Sequence, residues 1–181
     1  MVVSEIFRTA FEVKLFELGL GFHREDLITP TCYTLNRKHT GTFAVQLVGS
    51  EPIDRVIHKS NNGNKIQAIG YFKFRLIHEL NEPAFFILGF LNTTNQRTEF
   101  VIIPREELGS RLIKKNRKPT ASPRVSIVFW LMDDRFLYNC AGVGVEWEWY
   151  FLSRGVNGRM IDGTEWDYSE FLNDWDRLTM K

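Results

Sequence analysis

Six cations, Arg111, Lys114, Lys115, Arg117, Lys118 and Arg124, fall between positions 111 and 124 with no acid among them. Positive charge at that density could neutralise several backbone phosphates and give salt-sensitive, sequence-independent nucleic-acid binding; a solvated basic loop is the plainer reading. The four histidines, at 23, 39, 58 and 78, share no metal-ligand spacing, and none sits in an H-E-x-x-H arrangement. Cys32 and Cys140 lack the C-x-x-C spacing of a zinc or redox centre, so two unpaired core thiols are expected. No G-x-S-x-G elbow, phosphate-cradling glycine loop or dinucleotide fingerprint occurs, which leaves the common hydrolase, kinase and dehydrogenase readings without support. Val145, Trp147, Trp149 and Phe151 alternate with Glu146, Glu148 and Tyr150. Such aromatics could stack bases or face a partner, though packing in a core is the expectation.

These residues belong to a chain of 181, the size of one domain with its own core. Apolar residues make up 44% and charged residues 25%, which excludes disorder and disulfide scaffolds; 15 Phe, 5 Trp and 5 Tyr make aromatics the outlier. The formal net charge of +1 gives no global field toward nucleic acid or an anionic membrane, so any such affinity must be local. The longest apolar stretches, Ala84–Leu91 and Val125–Met132, are far shorter than the ~20 residues of a membrane span. With no basic n-region at the start, a cytoplasmic protein without membrane attachment is expected.

Ser4 is placed to cap a helix whose apolar positions Phe7, Phe11, Leu15 and Leu18 recur every three or four residues, with Gly19 and Gly21 ending it. Strands are expected at Leu27–Leu35 and Thr42–Val48, joined by a turn over Asn36–Gly41. The polar stretch Lys59–Lys65 reads as loop. Tyr71–Leu76 alternates Phe72, Phe74 and Leu76 against Lys73 and Arg75, the period-two mark of a strand with unlike faces. Ala84–Leu91 is apolar on both faces, as a covered central strand requires, and Thr98–Ile103 pairs with it. Pro104 suits the first position of a helix, with Glu106 and Glu107 in its first turn and Lys114 and Lys115 toward its end. Strands at Val125–Met132 and Val145–Phe151 follow, and Asp167–Leu178 reads as a closing helix with a capping box of Asp167 and Glu170 and an apolar face of Phe171, Leu172, Trp175 and Leu178.

In order, and in several segments, this chain resembles the PD-(D/E)XK nuclease superfamily, the restriction-endonuclease-like fold. The resemblance is carried by the helix Ser4–Gly19, by Tyr33-Thr34-Leu35, by Gln46-Leu47-Val48-Gly49-Ser50 and by the strand Tyr71–Leu76. The segments Ala84–Leu88, Phe100–Leu108 and Phe171–Trp175 look like later parts of the same pattern. It implies one α/β domain with a mixed central sheet flanked by helices: a core over 1–110, a basic loop with extra strands over 111–165, and a closing helix over 166–181.

In that superfamily an acid on the first strand and an acid two residues before a lysine on the second hold Mg²⁺ and steady the charge of phosphodiester hydrolysis. Those positions fall here on Thr34, Gln46 and Val48, and a first-helix acid falls on Arg8, with Glu5 and Glu12 nearby. A hydroxyl is a poor ligand for a hard dication, and an isopropyl group offers nothing to developing negative charge. The resemblance thus implies a nuclease-like protein with a degenerate centre, no cofactor, and nucleic acid or a protein as partner. A working Mg²⁺-dependent endonuclease would need migrated groups, Lys73 or Arg75 for the cation and Glu51 or Glu79 for an acid, with Asp26 the nearest replacement for Thr34. A third reading is a homodimeric interaction protein built on the aromatic 125–151 segment.

Overall fold

The computed structural model describes residues 4–25, 31–37, 41–51, 66–75, 83–116, 124–132, 135, 137–139 and 167–180. Helix α1 (Glu5–Glu17) starts where expected: the Ser4 carbonyl accepts the amides of Phe7 and Arg8, although its hydroxyl caps nothing. Gly19, at φ +67°, turns the chain out of the helix, a conformation glycine adopts without strain. The chain then enters β1 (Gly21–Glu25), a strand the sequence reading missed. Strands β2 (Thr31–Arg37) and β3 (Gly41–Gly49) follow as an antiparallel pair. The first of them ends two residues beyond the expected Leu35.

Strand β4 (Ile66–Arg75) begins well before Tyr71. Strands β5 (Phe85–Asn92) and β6 (Arg97–Pro104) form a hairpin, and α2 (Arg105–Asn116) starts one residue after Pro104 rather than on it. Strands β7 (Arg124–Met132) and β8 (Leu137–Asn139) are the last strands among the described residues. The strands form a five-stranded mixed sheet in the order β1-β2-β3-β5-β6, parallel only between β3 and β5, and a three-stranded antiparallel sheet in the order β4-β7-β8. The expected mixed central sheet with flanking helices is therefore present, but β4 lies in the second sheet instead of beside β3. The chain passes between the two at Glu51, whose amide donates to Tyr71.

The larger sheet is covered on both faces. Phe7, Phe11 and Leu15 of α1 pack with Tyr33, Leu35, Val45, Leu47, Ile87, Phe100 and Ile102 on one side. On the other, Phe86, Leu88, Phe90, Val101 and Ile103 meet Ala68, Phe72, Ile127 and Phe129 of the second sheet and Leu108 and Leu112 of α2. Strand β5 is buried on both faces, as its composition predicts, and lies inside the sheet between β3 and β6. At Gly89 a β-carbon would lie 3.1 Å from the Phe100 ring and 3.2 Å from that of Phe7, so a residue without one lets α1 sit close on the sheet.

The closing segment is not one helix. It forms a 3-10 turn (Ser169–Phe171) and a short helix α3 (Asp176–Thr179). Asp167 Oδ1 does accept the Ser169 amide, but Asn173, at φ +54°, breaks the helical path. Its amide donates to the Phe100 carbonyl, its Oδ1 accepts the Phe100 amide, and its Nδ2 donates to Glu99 at 2.5 Å. Pairing the outer edge of β6 outweighs continuing a helix, because backbone groups of an uncovered edge must find partners. The expected strand at Val145–Phe151 and the aromatic segment beyond 139 lie outside the described residues.

Candidate functional site

Alternation along β1, β2 and β3 sorts their side chains onto two faces. Phe22 and Arg24, Tyr33 and Leu35, and Val45 and Leu47 face α1: the Phe22 ring meets Tyr33, and Arg24 reaches Glu12 on α1. The opposite face therefore carries His23, Glu25, Cys32, Thr34, Gln46 and Val48. Register aligns them, with Glu25 opposite Cys32, Cys32 opposite Gln46 and Gln46 beside Phe86. Going inward from the edge strand, this row changes from a partly exposed carboxylate to a fully apolar ring.

Three features define its chemistry. The Thr34 hydroxyl donates to Glu25 Oε1 at 3.2 Å, so a carboxylate stands beside this residue. The Cys32 thiol is pushed above its ordinary pKa by burial and then by the Glu25 charge, which keeps it a thiol rather than a nucleophilic thiolate at neutral pH. Gln46 is 1% exposed, and among the described residues nothing donates a hydrogen bond to its Oε1. A buried acceptor left unsatisfied costs about 1–3 kcal/mol, which makes this oxygen the polar exception in an otherwise apolar part of the row. The row is thus rich in acceptors.

Thr34, Gln46 and Val48 do share this face. Thr34 is opposite Ala44, two pairs along the ladder from Gln46 and so on the same face. Val48, 3% exposed, is sunk in the core with Phe72, Phe86 and Leu88. Nothing cationic could stand at Val48 without burying its charge.

Among the described residues, the groups expected as migrated substitutes do not gather here. Lys73 and Glu51 lie 3.7 Å apart. Lys73 leaves β4 on the face opposite Phe72, however, so the second sheet separates its ammonium from Val48. The Tyr71 hydroxyl, and after it Glu51, hold that ammonium above its ordinary pKa. The side chain of Arg75, along with Asp26 and Glu79, lies outside the described residues. In the first helix, Arg8 pairs with Glu5, and Glu12 accepts the Tyr33 hydroxyl at 2.8 Å on the α1 side of the sheet, away from Thr34. Burial and the Glu12 acceptor hold the Tyr33 phenol above its ordinary pKa. Among the described residues, no group of three His, Cys, Asp or Glu side chains could hold a metal ion.

The basic run divides. Arg111 is 4% exposed and faces inward. It donates to Glu107 at 2.6 Å, to Glu170 at 2.7 Å and to the Asp167 carbonyl, and its guanidinium lies over the rings of Tyr168 and Phe171. That cation pins the closing segment to α2 and is not presented to a phosphate. Lys114 and Lys115 occupy the end of α2, Arg124 begins β7, and Arg117 and Lys118 lie outside the described residues.

The residue missed by sequence reasoning is Glu25. Its signal was the alternation of Phe22 and Arg24 with His23 and Glu25, hidden because two nearby glycines read only as a helix stop.

No protein-family model matches this chain, and no curated protein or solved structure matches it either. Among the described residues no helix is long and apolar enough to cross a membrane.

Proposed function

We propose that this protein has a nuclease-like fold with a degenerate centre and binds nucleic acid without cleaving it. The observation that carries the reading is Val48: the position where the superfamily holds a lysine is an apolar core site beside a neutral Gln46 and a neutral Thr34. Removing one electrostatic group from such a centre lowers the rate by ~10²–10³, and here more than one is replaced. Binding is assigned to the cations from Lys114 to Arg124; Arg111 is excluded by its burial and its carboxylate partners. Fluorescence anisotropy of a labelled DNA or RNA duplex, titrated at rising salt, tests it. Affinity that falls linearly on a logarithmic salt scale supports the reading, and absence of affinity at low salt removes it.

Glu25 favours a second reading, a Mg²⁺-dependent endonuclease, because its carboxylate lies beside Thr34 and could replace the first acid. Plasmid incubated with Mg²⁺ or Mn²⁺ distinguishes the two. Nicking that is lost in Glu25→Gln would establish the enzyme.

A further inference from the structure

The antiparallel pairing of β4 with β7 brings together charges that lie far apart in the sequence. Arg75 stands directly opposite Arg124, and Lys73, the next position on the same face, stands opposite Ser126. Phe72 and Ile127 point the other way, into the core between the sheets, so this row belongs to the outer face of the smaller sheet. The Lys73 side chain is 56% exposed, and Ser126 is exposed as well. Opposite positions of such a ladder are about 5 Å apart and alternate positions along a strand about 7 Å, which sets three cationic positions close together. Like charges directly opposite one another destabilise a ladder, and a screening length of about 10 Å in 0.1 M salt leaves much of that repulsion in place. The acid brought to the row is Glu51, 3.7 Å from the Lys73 ammonium, and with it counted the formal charge of the row is still positive. The same ammonium lies 4.8 Å from the centre of the Tyr71 ring, a contact that holds it over this face.

We infer that the row of Lys73, Arg75, Arg124 and Ser126 is a phosphate-binding surface, and that a nucleic-acid backbone lies across β4 and β7. An anion shared by the facing arginines turns their repulsion into attraction, and a guanidinium matches phosphate oxygens with two parallel N–H donors. The inference rests on the nucleic-acid reading and deepens it. Arg124 ends the basic run and begins β7, so the row continues the surface assigned to the cations from Lys114 onward and adds two positions of β4 that no inspection of the run itself would include. Cations and a hydroxyl meet phosphate oxygens and read no base edges, so the binding is independent of sequence. Lys73, which stands too far from Val48 to replace a catalytic lysine, thereby has a role in binding.

Fluorescence anisotropy of labelled duplex DNA with the full chain, repeated at rising salt, counts the phosphates neutralised. Lys73→Gln combined with Arg75→Gln should lower the logarithmic salt slope by roughly 2 and weaken binding at low salt at least about tenfold, whereas Lys73→Arg combined with Arg75→Lys should keep the wild-type slope. In dilute buffer without nucleic acid, Arg75→Gln should leave the Tm unchanged or raise it, because it removes one of two facing like charges. A marked fall in Tm would show that Arg75 serves the fold and would overturn the inference. A further readout uses the unaltered protein: acetylation of amines, mapped by peptide mass, should be suppressed at Lys73 when duplex is bound and unchanged at Lys14, which pairs with Glu17 on α1. Wild-type binding whose slope the glutamine pair leaves unaltered, or Lys73 acetylated equally with and without duplex, overturns this inference and leaves the binding reading standing. A wild-type protein without affinity for duplex removes both.

Discussion

Replacing Arg111 by Ala separates structural from functional charge in the basic run. The side chain is 5% exposed and makes charge-assisted bonds to Glu107 and Glu170, a bond to the Asp167 carbonyl and contacts with two aromatic faces. A hydrogen bond to a charged group contributes about 1.5–3 kcal/mol, and a desolvated cation over a ring up to about 2 kcal/mol. Glu107 and Glu170 are 42% and 56% exposed, so water takes over part of what they lose and the full penalty for an abandoned buried charge does not apply. The net expectation is a loss of about 3 kcal/mol, a fall in Tm of about 6–12 °C for a domain of this size. Arg111→Lys, which keeps the charge but not the planar fork, should fall between. Differential scanning calorimetry gives the Tm, and anisotropy at a temperature where the variant is folded gives the salt slope. Unchanged stability together with a shallower slope would refute the assignment of Arg111 to the fold.

The other expectations are simpler to state. Lys114→Ala with Lys115→Ala should leave the Tm nearly unchanged and reduce the logarithmic salt slope of nucleic-acid binding by up to about 2; an unaltered slope removes these residues from the interface. Val48→Lys should destabilise the protein by several kcal/mol in urea unfolding, because the ammonium would enter an apolar core, and wild-type stability would show that the site is more open than described. Cys32 should alkylate slowly, and Glu25→Gln should accelerate the reaction by lowering the thiol pKa; a slower reaction would contradict the charge argument. Because the folded thiol pKa is raised, its contribution to stability is complete below the unfolded thiol's pKa and is lost as pH rises from there through the folded value. Asn173→Ala should cost about 2–4 kcal/mol, combining a left-handed backbone with lost bonds to β6, whereas Asn173→Gly should recover only the backbone part.

Much of the fold is legible in local patterns. The three-to-four spacing of Phe7, Phe11 and Leu15 marks a helix face because it places them on one side of the turn, and the unbroken apolar run of β5 marks a strand covered on both faces. What was misread depends on long-range pairing. The closing segment carries helical periodicity, but Asn173 serves the edge of β6, a partner 73 residues away that no local pattern reveals. Strand β4 shows the alternation of a two-faced strand, yet alternation does not say which sheet a strand joins, and its partner is β7. The site was legible in the same uneven way. The shared face of Thr34, Gln46 and Val48 follows from strand parity, whereas Glu25 entered the row only through β1, a five-residue strand too short to announce itself directly after a helix stop.

On this reading the protein binds duplex nucleic acid and leaves it uncut. Labelled duplex DNA incubated with the protein in Mg²⁺ at low salt, and then run in parallel on native and denaturing gels, measures both halves in one sample. Retardation on the native gel with full-length strands recovered on the denaturing one is the predicted result. Shortened strands would contradict the reading of Val48 and Gln46, and an unretarded duplex would contradict the binding role of the cations from Lys114 to Arg124.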